Sequence, residues 1–422
     1  MQANTLAIDF GTSNSAAAVM REGAVHRIPI EGRDETLPTA VFFPAGQAPM
    51  RIGMAATEAL TSGEEGRYLR ALKSVLGLPL AHEERLIGGR RRSVVEIIAA
   101  FLRELRQRAE TATGQRFRYA LSGRPVHFHS SDPRKDRQAE QDLHACYLAA
   151  GFDAVTFLAE PEAAALASRT LRRTGDIGVV VDIGGGTSDF SVFRTTQSGP
   201  VILASHGIRL GGTDFDQAIA LSHCMPLLGL GGELRSETGP GLLPVPSAPY
   251  VDLATWAKIP FLYNAETRRR VAQMRRLAVD PTGIARLASV LELELGHELG
   301  FAVERGKIAA NEGQDSAVIE MGFVEAGLTA PLARNALVAA LADREAEIAE
   351  AVSETLVLAG VDRRAVRRVV LVGGSSLMAL VSRAVLAVCP SAEMRRAGAF
   401  TAVVDGLAFA AAQMERETVF TG

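Results

Sequence analysis

Two periods of apolar residues alternate along the 422-residue chain. Short apolar runs at 6–10, 39–43 and 118–121 predict strands. Between the second and third, SVVEIIAAFLRELRQRAE returns Val94, Ile98, Phe101, Leu102, Leu105 and Ala109 to one face, which predicts a helix. Ser93 and Glu96 supply a capping box for it, and Gly114 ends it. A second helical pattern over 138–150 stops at Gly151, and after a short strand EPEAAALAS reads as another helix. Residues 229–250, with GLGGEL and GPGLLPVPSAPY, read as an exposed loop or as a linker between domains. NALVAALADREAEIAEAVSETLVLAG predicts a long amphipathic helix with Gly360 as its C-cap. VVLVGGSSLMALV then reads as a buried strand, a tight turn and a helix start, and an alanine-rich helix follows near 404–412.

Two segments share one pattern. Residues 6–19 read LAIDFGTSNSAAAV and residues 179–193 read VVVDIGGGTSDFSVF, each an apolar strand ending in an acid, a glycine turn with hydroxyls, and a second apolar strand. Glycines allow backbone N–H groups to turn inward around an anion, because no Cβ blocks the approach. The hydroxyls of Thr12, Ser13, Thr187 and Ser188 add donors. Asp9 and Asp182 would repel bare phosphate, so the pattern calls for a cation between them, and Mg²⁺ suits one or two carboxylates plus phosphate oxygens. The expected ligand is a Mg-nucleotide polyphosphate. No GxxxxGK[ST] occurs, nor a GxGxxG opening a helix, and FSVF continues as a strand. The phosphate is therefore expected at two facing hairpin tips rather than at a helix N-terminus.

Composition narrows the picture further. The length suits two lobes, and 47% hydrophobic residues supply the core for them. A formal net charge of −3 argues against a general nucleic-acid partner. Cys146, Cys224 and Cys389 form no CxxC and read as buried thiols in a reducing compartment. No uncharged run reaches membrane-spanning length and the N-terminus has no signal-peptide pattern, so a cytoplasmic protein without membrane association is expected. Of the 45 basic residues only Lys73, Lys135, Lys258 and Lys307 are lysines. In a chain that writes arginine by default, a lysine hints that an ammonium is wanted. His127 and His129 alternate on an extended segment, but two nitrogens without a third ligand read as core or solvent-facing histidines. Trp256 reads as packing.

Six motifs, in order, resemble the ATPase domain of the heat-shock protein 70 (DnaK-type) chaperones of the actin and sugar-kinase superfamily. They are DFGTSNS, LAEPEAAALA, VVVDIGGGTSDFSVF, RLGGTDFDQAIA, VERGKIAAN and VVLVGGSSLM. The resemblance implies an α/β, actin-like ATPase fold with two duplicated lobes of ribonuclease H-like mixed sheets and flanking helices around a nucleotide cleft. The lobes would span 1–175 and 176–422, with an enlarged subdomain about 215–310. By position, it implies that Asp9 and Asp182 hold Mg²⁺ through water. Gly11, Thr12, Ser13, Gly184, Gly185, Gly186 and Thr187 would cradle the phosphates of ATP or ADP, with Gly211 and Gly212 nearby and Asp214 in support. Lys73 would reach the γ-phosphate and the attacking water, and Glu160 is the family's linking glutamate. Asp189 would position that water or accept its proton, although by its residue context alone it reads equally well as a turn cap. Glu304 and Lys307 would touch the ribose, and Gly373, Gly374 and Ser375 the adenosine. A protein partner or client is implied but not identified.

Two departures qualify the likeness. The sequence ends at ERETVFTG, before any counterpart of the family's linker, peptide-binding sandwich or lid, so an ATPase-domain-only (YegD-like) member is expected. The family's two adenine-stacking arginines correspond here to Ile308 and Leu377. The expected activity is slow, Mg-dependent ATP hydrolysis driving lobe opening and closing. A nucleotide-sensing module with little turnover, a small-molecule kinase and an actin-like polymer are the rival readings. Loss of cation–π stacking, worth about 0.5–2 kcal/mol per contact, predicts nucleotide binding weaker and less adenine-strict than is usual in the family. Calorimetric titration finding nanomolar, adenine-only affinity would contradict this.

Overall fold

Each glycine turn closes a β-hairpin, and each hairpin opens one of two sheets with the same strand plan. The computed structural model describes residues 4–46, 48–167, 174–197, 199–314, 316–396, 398 and 401–420, the last four as backbone. The first sheet contains β1 (Thr5–Phe10), β2 (Asn14–Arg21), β3 (Ala24–Arg27), β4 (Thr36–Pro38), β5 (Tyr119–Arg124) and β6 (Ala154–Ala159). Its order is β6-β5-β1-β2-β3, with β4 also paired to β2. The second contains β7 (Ile177–Ile183), β8 (Ser188–Thr196), β9 (Gly199–Ile208), β10 (Val366–Val372) and β11 (Glu393–Arg396), in the order β9-β8-β7-β10-β11. In each, an antiparallel three-strand meander is extended on the side of its first strand by two parallel strands. Parallel neighbours need long crossovers, and helices supply them.

The first sheet's crossover is α1 (Val94–Thr113), which has the capping box of Ser93 and Glu96 and ends at left-handed Gly114. A second helix, α2 (Pro133–Ala149), starts five residues before the periodicity suggests. Its true start was marked by the Asp-Pro pair: Asp132 accepts the Arg134 and Lys135 N–H groups, and Pro133 fills the first turn. Then come α3 (Glu160–Ala167) and α4 (Gly212–Ile219). The long helix expected over 335–358 is two, Arg334–Ala340 and Ala342–Leu358. The hydrogen bonds from Leu341 to Leu337 and from Glu345 to Leu341 persist across the break, so apolar spacing alone could not reveal it. Gly360 adopts φ 62° after the second, as a C-cap should.

The chain divides into two units. The first comprises Met1–Gly212, Ala346–Leu377 and Val381–Gly422, and holds both sheets. Its core is a layer where Ala163, Ala164 and Ala165 of α3 meet the closing helix Ala402–Phe420. Ala7, Ala18 and Leu121 of one sheet and Val180, Phe193 and Val370 of the other line the same layer. The closing helix begins about where the alanine-rich pattern starts and runs well beyond it. Its Asp405 takes a bidentate ion pair from Arg27 at 2.7 Å. Its Glu415 accepts the Asn4 and Thr5 N–H groups, both at 3.1 Å.

The second unit, Thr213–Glu345 with Met378–Leu380, is mainly helical. The glycine- and proline-rich stretch at 229–250 lies inside it and carries a small hairpin, Glu233–Arg235 with Leu242–Pro244, so it is not a linker. Trp256 does more than pack: its Nε1–H donates to buried Asp216 at 3.1 Å. Cys146, Cys224 and Cys389 are free and buried. Among the described residues, no helix is long and apolar enough to cross a membrane.

The helix crossing in the first unit depends on Gly406, where an added Cβ would strike the Ala163 carbonyl. Gly406→Ala should therefore cost about 3 kcal/mol of stability, at or above the usual overpacking range, because backbone cannot move aside as a side chain can. Urea unfolding would show it as a lowered midpoint.

Candidate active site

The two hairpins place equivalent residues at equivalent depth. Asp9 and Asp182 are each the penultimate residue of a strand, β1 and β7. Gly11 N–H bonds the Asn14 carbonyl at 3.1 Å across one tip, and Gly184 N–H bonds the Thr187 carbonyl at 3.0 Å across the other. The tips lie against each other. A Cβ on Gly185 would collide with Ser13 Oγ and stand 3.1 Å from Thr12 Cβ, and one on Gly186 would stand 3.1 Å from Thr12 Oγ1. Only glycine permits that approach.

Further glycines pack onto this junction. Gly212 N–H bonds the Gly184 carbonyl at 3.0 Å, and a Cβ on Gly211 would lie 2.5 Å from the Gly186 nitrogen. Gly373, at φ 81°, abuts Asp182: a Cβ there would sit 2.6 Å from Asp182 Oδ1. Ser375 Oγ occupies the space a Gly212 side chain would need. Thus the turn expected at adenosine, 373–375, also backs the second hairpin. Leu377 is 40% exposed.

Lys73 lies in a 3-10 turn, Leu72–Val75, entered through Ala71 in a left-handed conformation. Its ammonium donates to Glu160 Oε1 at 2.7 Å, with the two side chains only 6% and 12% exposed. Gly123 on β5 makes room for Glu160, whose Cγ would lie 3.1 Å from a Cβ there. Lys73 is therefore a buried, paired lysine. Asp189 is also more than a turn cap. It faces Asp182 across the β7–β8 ladder, accepts the Val126 N–H at 2.6 Å through Oδ1, and is bonded by the Thr187 side chain. Gly207 clears the space for it.

The charges in this cleft do not balance. Burial pushes the Asp9 carboxyl up to about 7, reinforced by the Glu160 charge and opposed by Lys73. Asp189 rises to about 8, again from burial first and then Glu160. Asp182 is raised well above the ordinary carboxylate range by burial and by Glu160, Asp189 and Asp9. Glu160 and Lys73 act on all three aspartates, so these groups are near neighbours. Among the described residues, no three His, Cys, Asp or Glu side chains converge to ligate one metal ion directly. The donor set still fits a hydrated dication, since the Asp9 and Asp182 carboxyls are close enough for the charge on one to act on the other, beside the two glycine tips.

Other predicted residues lie elsewhere. Glu304, Lys307 and Ile308 are on the helix Gly296–Asn311 of the second unit. Lys307 is buried there and donates to Asp216 Oδ1 at 2.6 Å, with Glu304 close enough to raise the Asp216 carboxyl. Ile308 is 47% exposed. Asp214 is in the first turn of α4. His129 Nε2–H donates to the Leu76 carbonyl at 2.7 Å and His127 Nδ1 lies 3.3 Å from Asp136, so both rings have protein partners. Sequence reasoning missed the partner of each buried lysine, though the rarity of lysine marked both positions.

The family model described as "Hsp70 protein" matches residues 83–226, a span holding Glu160, the second hairpin and the Gly211-Gly212 turn. A "Chaperone protein HscA homolog" of Pseudomonas putida is 32% identical over 256 residues, covering 56% of this chain and 40% of the relative. One from Azotobacter vinelandii is 33% identical over 235 residues, covering 50% and 36%. The match therefore spans about two fifths or less of these relatives' length.

The raised carboxyls make a pH prediction. Their folded values lie above their unfolded ones, so the protonated forms favour the fold. That stability is fully present below about pH 4 and is lost as pH rises through 7 to 8. The melting temperature of the protein without nucleotide should fall by a few degrees between pH 6 and 9. Asp189→Asn should flatten this slope; a slope unaltered by that change would refute the account.

Proposed function

The chain belongs to the Hsp70 family, and from that premise and the cleft we propose that it binds Mg-ATP and hydrolyses it slowly, as a chaperone-like nucleotide switch. The observation that carries this reading is the buried Lys73–Glu160 pair, set among Asp9, Asp182 and Asp189 beside two touching glycine tips. Water attacks the γ-phosphoryl group in line, and the protein's work is positioning and charge neutralisation.

Each residue has a part in that work. The amides of Thr12 and Ser13 and of Gly185, Gly186 and Thr187 would offset the charge growing on the phosphate oxygens, while the Gly11 and Gly184 N–H groups close the two tips. Lys73, oriented by Glu160, brings an ammonium to the transferred group. Asp189, steered by the Val126 N–H and the Thr187 side chain, holds the water and takes up its proton. Asp9 and Asp182 would hold Mg²⁺, which when bound supplies positive charge against the phosphates. With the γ-phosphate gone the two hairpins lose their shared ligand, and the halves carrying them separate. The output is a changed surface offered to a protein partner or client.

Lys73→Ala should lower single-turnover ATP hydrolysis at least a hundredfold, the order of magnitude for removing one preorganised charge, while Mg-ADP still binds in calorimetry. Unchanged hydrolysis would reject the assignment.

A further inference from the structure

The lysine turn is anchored from two directions. On the side of the first sheet, the Leu76 carbonyl takes a hydrogen bond from the His129 ring at 2.7 Å, and the Gly77 N–H donates to buried Asp142 at 2.9 Å. These bonds hold the end of the turn to α2 and to the segment before it. From the other side comes Arg209, immediately beyond β9 of the second sheet. Its guanidinium donates from Nη2 to the Ser74 carbonyl at 2.8 Å, next to Lys73 in the chain.

The backbone that carries Arg209 is itself tied to the second hairpin. The following residue, Leu210, accepts the Ser188 hydroxyl through its carbonyl at 2.6 Å. Two residues later the Gly212 N–H bonds the Gly184 carbonyl. Any displacement of the second glycine tip therefore carries Arg209 with it, and Arg209 in turn pulls on the carbonyl beside the lysine. Among the described residues the Lys73 ammonium bonds Glu160, at the start of α3 and directly after β6 of the first sheet.

We propose that Arg209 is a positioning residue that sets the Lys73 turn against the second phosphate hairpin, so that the ammonium is in register only when both halves of the cleft are together. This deepens the ATPase reading and rests on it. The bond is charge-assisted yet solvent-exposed, so it adds little to overall stability and is made and broken at small cost. Those properties suit a contact that forms on closure and releases on opening. Its leverage is geometric, because a displacement of about 1 Å at a catalytic group costs up to about a hundredfold in rate. A single carbonyl needs one N–H donor, which a lysine ammonium also provides.

The test compares Arg209→Ala, Arg209→Lys and Lys73→Ala in the full chain with Mg-ATP. Arg209→Ala should lower kcat roughly tenfold with KM changed less than about twofold and the urea midpoint unmoved, because the interaction lost serves the transition state. Arg209→Lys should restore most of the rate. Hydrogen exchange of the amides at 74–77 should speed up in Arg209→Ala and return in Arg209→Lys. If Lys73→Ala is inactive while Arg209→Ala turns over normally, the positioning role is wrong and the ATPase reading stands. If Lys73→Ala is itself fully active, the reading of the site falls and the role of Arg209 goes with it. Equal impairment of the alanine and lysine variants would also overturn the proposal.

Discussion

Crowding four carboxylates around one ammonium is the constraint on which the first unit is built. Asp9, Glu160, Asp182 and Asp189 repel one another in a place where little water screens them. Lys73 offsets only part of that repulsion. They are held because each is fixed to a rigid element: two at hairpin necks, one on the second strand of a hairpin, one at the first turn of a helix. The shared layer of α3 and the closing helix binds those elements together, and its close crossing depends on a glycine. Stability invested in alanine and valine packing is thus converted into electrostatic tension at the cleft. Under the proposed function, the dication that accompanies the nucleotide would relieve that tension.

The two sheets share a strand plan but not a chemistry. In the second hairpin Asp182 faces Asp189 across the ladder, whereas in the first Asp9 faces Ala16. Only one copy of the repeated motif thus carries the extra carboxylate, and the glycine at position 207 exists to admit it. Lys73, paired with Glu160, is supplied by the segment between β4 and β5, whereas the longer segment between β9 and β10 carries its own buried pair, Lys307–Asp216. Duplication accounts for the cradle, and these asymmetric additions account for the reactive groups.

Much of this was legible in the sequence because it rests on local rules. Apolar strand, acid and glycine run declared both hairpins, and Ser93 with Glu96 declared the start of α1. The scarcity of lysine marked all four, and the family resemblance picked out Lys73 and Lys307, the two that turn out to be buried with carboxylate partners. What was not legible is non-local. No spacing rule joins Lys73 to Glu160, Trp256 to Asp216, or Arg209 to the Ser74 carbonyl, since each contact is created by folding segments far apart in the chain. The break at Leu341 was hidden for a different reason, because a bend that keeps its hydrogen bonds leaves the apolar period intact.

Glu415 on the closing helix satisfies the backbone amides of Asn4 and Thr5, at the opposite end of the chain. During synthesis at about 5–20 residues per second, β1 must therefore wait roughly 20–80 s before the residue that secures its outer end leaves the ribosome. Throughout that interval the first sheet presents an apolar face meant for a helix that does not yet exist. A protein related to chaperones thus passes through its own period of exposed hydrophobic surface, and its yield in a cell depends on what shields that face before translation finishes.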